Sequence, residues 1–378
     1  MKYLLIAGEA SGDLHGSRLI EAVRRRDPEA EFRFLGGDLM AEAVGTPPII
    51  HYRDMAYMGF IDVIGHLPTI LGFLRRVKAE IRSWQPGAVV LIDYPSFNLK
   101  VAHFAHRLGI SVHYFISPKV WAWKQWRVKS IRRDVDHMYC ILPFEPAWYR
   151  QRNYVAEYVG NPTVGEIDQW LTTAPTREDF CASQGLDPAK PVIAIVPGSR
   201  RTEINDNLPI MLDVARRHPD FQTAIAMAPG IDRTLYEQII GSQNGDCTLV
   251  DQATWALMRH ARAALVTSGT ATLETALLGT PQVACYRWTG KRWTYKVMRK
   301  LLSGNYCTLP NLIDDSEVVP EMLVHLCTPD GVDAKLTPLL DDGNPALEAQ
   351  LDGYRRIRTE LGSRDCAETA AKALCETS

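Results

Sequence analysis

The stretch YLLIAGEASGDLHG, residues 3–16, is the part of the sequence that decides the fold class. Its first five residues are apolar and predict a buried strand at Tyr3–Ala7. A glycine-containing loop follows, and the periodicity after it predicts a helix over Asp13–Arg26. A strand that turns directly into a helix opens a βαβ unit, and repetition of that unit builds a parallel sheet.

The same pattern recurs along the chain and restarts once, at PVIAIVPGSRRTEI, residues 191–204. A further helix is predicted at Pro68–Ser83. The other predicted strands are Glu31–Gly36, Ala88–Ile92, Ser111–Ile116, His137–Leu142, Pro191–Val196, Gln222–Ala226, Thr248–Val250, Ala263–Thr267 and Gln282–Tyr286. We therefore expect two Rossmann-like α/β domains, 1–162 and 163–343, with a hinge near Asn161–Pro162 and helices in 344–378. Two such domains imply a cleft, with ligands at the carboxyl ends of the strands.

Composition excludes several classes of protein. The chain has 378 residues and a net charge of −2, which argues against a surface built wholly for nucleic acid. Its eight cysteines include no C-x-x-C pair, a pattern typical of reduced thiols rather than of a disulfide framework or a zinc site. No apolar run approaches the ~18 residues of a spanning helix, and no signal peptide is recognisable. We expect a cytoplasmic protein whose membrane contact, if any, is peripheral.

Two strand-to-helix loops in the first half contain candidate ligands. The glycines of residues 8–16 let backbone N–H groups approach a ligand, although the loop could equally be a tight turn with an acid in the helix's first turn. Asp93 follows the apolar strand Ala88–Ile92. Its carboxylate could act as a general base, or it could cap the next helix.

Two loops in the second half favour anion binding. Gly198-Ser199-Arg200 follows a strand, so its N–H groups and a guanidinium could hold a diphosphate. The alternative is a solvated arginine pair. Ser268-Gly269-Thr270 would cap a helix whose N–H groups point at phosphate, and Glu274 could accept hydrogen bonds from ribose hydroxyls. The alternative is a capped helix with an early acidic residue.

Residues 60–81 contain more apolar side chains than one helical face needs. The core face would consist of Ile70, Phe73, Leu74, Val77 and Ile81. The remaining apolar side chains and the basic residues after them suit an interfacial membrane contact, and the contact residues would be Val63, Ile64, Leu67, Leu71, Arg75 and Arg76. An ordinary core helix with a solvated basic side is the alternative.

Two stretches combine basic and aromatic residues without an acid. Lys119–Arg133 carries six basic residues and three tryptophans, and Arg287–Lys300 carries six and two. Either could serve an anionic membrane, the phosphate of an anionic acceptor, or single-stranded nucleic acid.

Taken together, the motifs resemble those of the lipid-A-disaccharide synthase family, in the family's order and over nearly the whole chain. They are Gly8-Glu9-Ala10-Ser11-Gly12-Asp13, Val120-Trp121-Ala122-Trp123, Pro197-Gly198-Ser199-Arg200, Ser268-Gly269-Thr270-Ala271-Thr272-Leu273-Glu274 and Leu309-Pro310-Asn311-Leu312. The resemblance implies a GT-B fold whose C-terminal helices, 344–378, pack back on the first domain. It also implies transfer of 2,3-diacylglucosamine from UDP to the 6-hydroxyl of 2,3-diacylglucosamine 1-phosphate. The donor is α-linked and the product β-1′,6-linked, so the transfer inverts the anomeric carbon.

On this resemblance, the second domain binds the UDP-sugar and the first faces the acceptor and the inner-membrane surface. Asp93 is the catalytic base, and Asn311 joins Gly198, Ser199, Arg200, Ser268, Gly269, Thr270 and Glu274 on the donor side. The acceptor side would be lined by Glu9, Ser11, Gly12 and Asp13. Two departures stand out: Ser96 replaces the second Asp of the family's Asp-x-Pro-Asp-Phe-Asn, and Asn161 replaces the His of its Gly-His-Pro.

No metal or other cofactor is expected. Asp134-Val135-Asp136 is a D-x-D string, but it precedes a predicted strand and so lies at the wrong strand end for the cleft. The rival functions are a UDP-sugar 2-epimerase of the same fold and a non-catalytic nucleotide- or RNA-binding protein. The apolar segment 60–81 argues against both. Nucleic acid is not an expected partner. The sequence does not decide whether the chain forms a homodimer.

Overall fold

The computed structural model describes residues 1–55, 67–241, 247–287 and 306–377, which form two compact units. The first unit comprises Met1–Gly165 with Ser363–Ser378, and the second comprises Glu166–Gly362. Each unit contains its own parallel sheet, flanked by helices.

The sheet of the first unit has the strand order β3-β2-β1-β4-β5-β6-β7. Its strands are β1 Lys2–Ala7, β2 Glu31–Gly36, β3 Ile50–His51, β4 Ala88–Ile92, β5 Ser111–Phe115, β6 His137–Cys140 and β7 Glu157–Tyr158. Its helices are α1 Ala10–Arg26, α2 Asp38–Val44, α3 Tyr52–Met55, α4 Leu67–Trp84, α5 Pro95–His106, α6 Val128–Asp134 and α7 Glu145–Arg150, with a short 3₁₀ helix at Gln125–Arg127. The chain passes into the second unit along α8, Pro162–Leu171.

The sheet of the second unit has the strand order β10-β9-β8-β11-β12-β13. Its strands are β8 Val192–Val196, β9 Gln222–Ala226, β10 Thr248–Val250, β11 Ala263–Thr267, β12 Gln282–Tyr286 and β13 Glu321–Leu323. Its helices are α9 Arg177–Gln184, α10 Arg201–Ala215, α11 Arg233–Gly241, α12 Thr254–His260, α13 Thr270–Leu277, α14 Leu309–Asp314, α15 Pro329–Leu340 and α16 Pro345–Leu361. The last helix, α17 Cys366–Thr377, belongs to the first unit.

The central strands are buried on both faces, which explains their continuous apolar runs. In β1, Leu4 and Ile6 pack into one core cluster, whereas Tyr3, Leu5 and Ala7 pack into another on the opposite side of the sheet. The strand order reverses between β1 and β4 in the first sheet and between β8 and β11 in the second. Ligands of open α/β sheets bind at such reversals, beyond the carboxyl ends of the strands.

The ten strands predicted from the sequence are all present, with ends that shift by one or two residues. Three short strands, β3, β7 and β13, were not predicted, since two or three residues carry no readable alternation. The units divide after Gly165 rather than after residue 162.

The C-terminal helices do not all return to the first unit. α16 stays with the second, because the Gln350 side chain accepts from the Gln282 N–H at 2.7 Å and donates to the Gln282 carbonyl at 3.0 Å. Only α17 packs on the first unit, against α1, where Glu368 pairs with Arg25. The prediction that residues 344–378 return as a whole is therefore wrong for α16 and right for α17.

Among the described residues, no helix combines the length and the apolar character needed to cross a bilayer.

Candidate active site

The loop after β4 holds Asp93 in an unusual backbone conformation. Asp93 and the next residue, Tyr94, have φ values of 40° and 46°, in the left-handed region that non-glycine residues rarely adopt. The Asp93 carbonyl fixes this turn by accepting hydrogen bonds from the Tyr114 hydroxyl at 2.6 Å and from Nδ2 of Asn98 at 2.7 Å. Strained turns that the surrounding structure holds in place cluster at active sites.

The carboxyl group of Asp93 does not cap the helix that follows it. The N-cap of α5 is Tyr94, and no side chain caps that helix. Burial raises the pKa of Asp93 to about 6, and the charge of Glu9 adds to the rise, whereas Lys119 and the Tyr94 N–H oppose it. A carboxylate with this pKa is a better proton acceptor near neutral pH than an ordinary aspartate.

The loop after β1 lies against the Asp93 loop, because a Cβ atom on Gly8 would come within 2.4 Å of the Tyr94 ring. Glu9 and Ser11 are exposed in this loop, and Ser11 Oγ donates to Glu9 Oε1 at 3.1 Å. These two predicted acceptor-side residues therefore lie beside the turn that carries Asp93.

The other two predicted acceptor-side residues are buried. The Asp13 carboxylate accepts N–H bonds from Gly37 at 2.6 Å, Leu39 at 3.1 Å and Met40 at 3.2 Å. Gly12 is buried against Ala7. The prediction that Asp13 and Gly12 line an acceptor site is contradicted by this placement. Asp13 braces the start of α2, and Gly12 permits close packing of α1 on the sheet.

Two cations near Asp93 were not singled out from the sequence. Lys119 lies close enough to lower the pKa of Asp93. Arg127 donates from Nη2 to Ser96 Oγ at 3.0 Å, within the first turn of α5. The available signal was the acid-free stretch Lys119–Arg133, which marks basic character without showing which side chains reach the carboxyl edge of the sheet.

In the second unit, a cavity of about 510 Å³ lies at the carboxyl ends of β8, β9 and β11. Its lining includes seven predicted donor-side residues, Gly198, Ser199, Arg200, Ser268, Gly269, Thr270 and Glu274. Among the lining residues that the sequence analysis missed are Met227, Ala228, Pro229, Thr254 and Trp255. These residues come from the loop after β9 and from α12. For the loop, Ala228-Pro229-Gly230 was the available turn signal.

The loop after β8 is organised by Glu203 of α10. Its carboxylate accepts from the N–H of Ser199 at 3.0 Å and of Arg200 at 3.3 Å, and it pairs with Arg200 Nη1 at 2.7 Å. Gly198 has φ of 117°, and a Cβ there would lie 2.7 Å from Glu203 Cβ, so the turn requires glycine. The side chain of Arg200 remains 77% exposed.

The loop after β11 leads into α13 at the cavity wall. The N-cap position is Gly269, and no side chain caps this helix, contrary to the capping predicted for Ser268 and Thr270. The first N–H groups of α13 are thus left for a ligand. Further along α13, burial raises the pKa of Glu274, and its Oε2 accepts from the Trp255 indole N–H at 3.0 Å. No hydrogen bond from the described residues reaches Glu274 Oε1.

Sequence comparisons cover the whole chain. A family model described as lipid-A-disaccharide synthetase matches residues 3–374. A lipid-A-disaccharide synthase of Koribacter versatilis is 38% identical over 98% of this chain and 96% of the relative. One of Geobacter sulfurreducens is 34% identical over 99% and 97%. The chain belongs to the lipid-A-disaccharide synthase family. Its members are glycosyltransferases of lipid A biosynthesis, as the resemblance predicted.

Solved structures share the fold of this family member at low sequence identity. A UDP-GlcNAc 2-epimerase of Methanocaldococcus jannaschii, in complex with UDP-GlcNAc and UDP, aligns with a TM-score of 0.65 at 13% identity over 100% of both chains. The calicheamicin glycosyltransferase CalG4 aligns with a TM-score of 0.59 at 13% identity over 99% of this chain and 96% of that chain. These similarities confirm the predicted GT-B fold.

One donor-side prediction from the family motifs does not fit. Asn311 is fully buried and does not line the cavity. Its Oδ1 accepts from the N–H of Val318 and Val319, and its Nδ2 donates to the Val319 carbonyl and to Glu321. With both ends of the amide engaged, Asn311 holds the chain between α14 and β13 rather than a ligand.

The D-x-D string has structural partners. Asp134 is buried and bonds Arg133 at 2.7 Å and His103 at 3.0 Å, and Asp136 accepts from the Val112 N–H at 2.9 Å, at the start of β5. These carboxylates lie at the amino end of the strands, opposite to the Asp93 loop. In the part of the chain that the structure describes, no group of three His, Cys, Asp or Glu side chains could hold a metal.

Helix α4 has the core face that was predicted. Leu74, Val77 and Ile81 are buried in the core, and Ile70 and Phe73 pack against it. Leu71 is 38% exposed, and Arg75 and Arg76 are exposed. Val63, Ile64 and the Leu67 side chain lie outside the described residues, as does the basic stretch after Arg287.

Proposed function

We propose that this chain performs its family's reaction by transferring 2,3-diacylglucosamine from UDP to the 6-hydroxyl of 2,3-diacylglucosamine 1-phosphate. The products are the β-1′,6-linked disaccharide 1-phosphate and UDP. The observation that supports this proposal most directly is the cavity of the second unit, whose walls combine a guanidinium, an uncapped helix N-terminus and a carboxylate. That set of groups matches a nucleoside diphosphate.

The UDP part of the donor binds in this cavity. Arg200 contacts the diphosphate, and the N–H groups of α13 next to Ser268-Gly269-Thr270 donate hydrogen bonds to its oxygens. The free oxygen of Glu274 accepts hydrogen bonds from the ribose hydroxyls. As the glycosidic bond breaks, the same groups stabilise the charge that develops on the leaving UDP, and no residue role in this assignment requires a metal.

The acceptor reacts at Asp93. Its carboxylate takes the proton of the 6-hydroxyl while the oxygen attacks the anomeric carbon of the donor. A single displacement on an α-linked donor gives the β product, so one base suffices. Glu9 and Ser11 line the acceptor side, where Glu9 also contributes to the raised pKa of Asp93.

The substrates are lipids, and we propose that the enzyme meets them at the cytoplasmic surface of the inner membrane. Leu71, Arg75 and Arg76 support this, because an exposed apolar side chain flanked by cations suits the interface of an anionic bilayer. Val63, Ile64 and Leu67 complete the proposed contact.

The test is a transfer assay. Purified protein is incubated with UDP-2,3-diacylglucosamine and 2,3-diacylglucosamine 1-phosphate, and the products are identified by mass spectrometry and by the anomeric coupling constant in NMR spectra. We expect UDP and the β-linked disaccharide phosphate only when both substrates are present. A UDP-sugar isomer formed without acceptor would establish the epimerase alternative instead.

A further inference from the structure

The turn that carries Asp93 lies beside two cations, Arg127 and Lys119. Arg127 donates to Ser96 Oγ at 3.0 Å, and the charge of Lys119 acts on Asp93. Among the described residues, no carboxylate forms an ion pair with Arg127 or Lys119. By contrast, Arg133 in the same basic stretch pairs with Asp134 at 2.7 Å. Arg127 is therefore a cation held at the Asp93 loop that no carboxylate of the described residues pairs.

Arg127 is held in place rather than fully solvated. Burial lowers its pKa, and its charge interacts with the phenol of Tyr114, whose hydroxyl donates to the Asp93 carbonyl. Its guanidinium carbon also lies 5.7 Å from the centre of the Trp126 ring. A guanidinium that is partly desolvated, oriented and unpaired has free donors in the geometry that matches phosphate oxygens.

We propose that Arg127 binds the phosphate monoester of the sugar acceptor. This inference rests on the proposed function and deepens it by assigning the group that recognises the anionic end of the acceptor. The 1-phosphate and the reacting 6-hydroxyl extend from the two carbons that flank the ring oxygen, so they are separate groups of one sugar. Asp93 and the Arg127–Ser96 contact likewise occupy neighbouring but distinct positions at the start of α5. In this proposal the hydroxyl is held at Asp93 and the phosphate at Arg127.

Ser96 has a defined part in this arrangement. Its hydroxyl accepts one N–H of the guanidinium and so orients Arg127 without neutralising it. Ser96 therefore positions Arg127 beside the Asp93 loop, and the contact leaves the charge of the guanidinium unneutralised.

Anionic membrane lipids carry phosphate as well, and the exposed side chains of Trp123 and Trp126 lie in the same segment. The two sources of phosphate are separated by assaying transfer in neutral detergent micelles, which contain no anionic lipid. Two acceptors are compared, 2,3-diacylglucosamine 1-phosphate and its counterpart without the phosphate. An effect that appears only with vesicles containing phosphatidylglycerol would assign Arg127 to the membrane and overturn the proposal.

In micelles, we expect Arg127→Gln to raise the KM for the phosphorylated acceptor about tenfold to hundredfold, because a charge-assisted contact is lost. The kcat and the KM for the donor should change by less than about twofold, and the acceptor without phosphate should be used as by the wild type. Lys129→Gln is the matched control, since it removes one exposed cation from the same segment. Equal effects of Arg127→Gln on both acceptors, or equal effects of the two variants, would overturn the proposal.

A second variant leaves Arg127 in place. Ser96→Ala removes the hydroxyl that positions Arg127, so it should raise the KM for the phosphorylated acceptor severalfold. The same change in an Arg127→Gln background should add nothing, as expected for two residues that act through one contact. An additive double variant would contradict the assignment. Failure of the wild type to form the disaccharide would refute the proposed function. If the wild type forms it but Arg127→Gln affects both acceptors equally, this inference alone is refuted.

Discussion

The two sheets carry different chemistry at the edge where their strands end. In the first unit, the loop after β4 presents a carboxylate, Asp93, whose pKa burial raises to about 6. In the second, the loops after β8 and β11 present a guanidinium and backbone N–H groups around a cavity of about 510 Å³. In the proposed function, parallel α/β frames of the same kind thus carry a proton acceptor in one unit and an anion-binding surface in the other.

The difference comes from which polar groups already have internal partners. In each unit an acidic residue follows the first strand and accepts backbone N–H bonds, Asp13 in the first and Glu203 in the second. Asp13 is buried and wholly engaged in bracing α2, so that loop offers little to a ligand. Glu203 orders a loop whose arginine, Arg200, remains exposed beside the cavity. The motif after the first strand therefore braces a helix in one unit and leaves an exposed arginine beside a cavity in the other.

The largest effect should come from removing the proton acceptor. Asp93→Asn is nearly isosteric, so the left-handed turn should persist, but an amide cannot take the proton of the 6-hydroxyl. We expect kcat to fall by about 10²–10⁴ in a steady-state assay with both substrates saturating. UDP affinity, measured by calorimetry, should stay at the wild-type value.

Asp54→Asn serves as the control, since Asp54 is an exposed aspartate of the same unit. It should leave kcat unchanged. If Asp93→Asn also turned over within a fewfold of wild type, Asp93 would be a structural residue, and the base would have to be sought at Glu9.

The next effect tests the anion-binding side of the comparison. Arg200→Ala should weaken UDP binding about tenfold to hundredfold, because a charge-assisted contact with the diphosphate is lost. Calorimetric titration of UDP measures it directly. Arg201→Ala, at the adjacent exposed position, should bind UDP like the wild type. Equal losses in the two variants would show that the loop contributes only diffuse positive charge.

The pH dependence of turnover tests the same carboxyl group without a mutation at that position. Asp93 must be deprotonated to act, so kcat should fall as the pH decreases through about 6. At pH 5 roughly a tenth of the plateau rate should remain, since about one group in ten is then ionised. Glu9 raises the pKa of Asp93, so Glu9→Gln should move the acid limb to lower pH. If the acid limb of Glu9→Gln stayed at the wild-type pH, the group that titrates would not be Asp93.

Sequence patterns predicted the βα units and the four loops at the sheet reversals, because strand apolarity and the glycine- and acid-containing turns are local features. They failed where a side chain has distant partners. Asn311 and Asp13 stand in motifs that suggest ligands, yet Val319 and Gly37 satisfy them in the folded chain. The same limit explains the wrong prediction for α16. A hydrogen bond between Gln350 and Gln282, which are far apart in the sequence, holds this helix on the second unit.

The smallest effect concerns the proposed membrane contact of the first unit. Leu71 and Leu74 lie within one turn of α4, but Leu71 is 38% exposed and Leu74 only 8%. Leu71→Ser should reduce binding to phosphatidylglycerol vesicles by about threefold to tenfold, since part of one leucine's transfer free energy is lost. Its melting temperature should stay at the wild-type value. Leu74→Ser should instead destabilise the fold by about 2–5 kcal/mol, the usual cost of truncating a buried leucine, while the protein that remains folded binds vesicles normally. The two variants differ by three positions and have the same chemistry, so only the direction of each side chain separates them. A melting temperature lowered equally by both would show that Leu71 is covered by protein, and the outer side of α4 would then not meet the membrane.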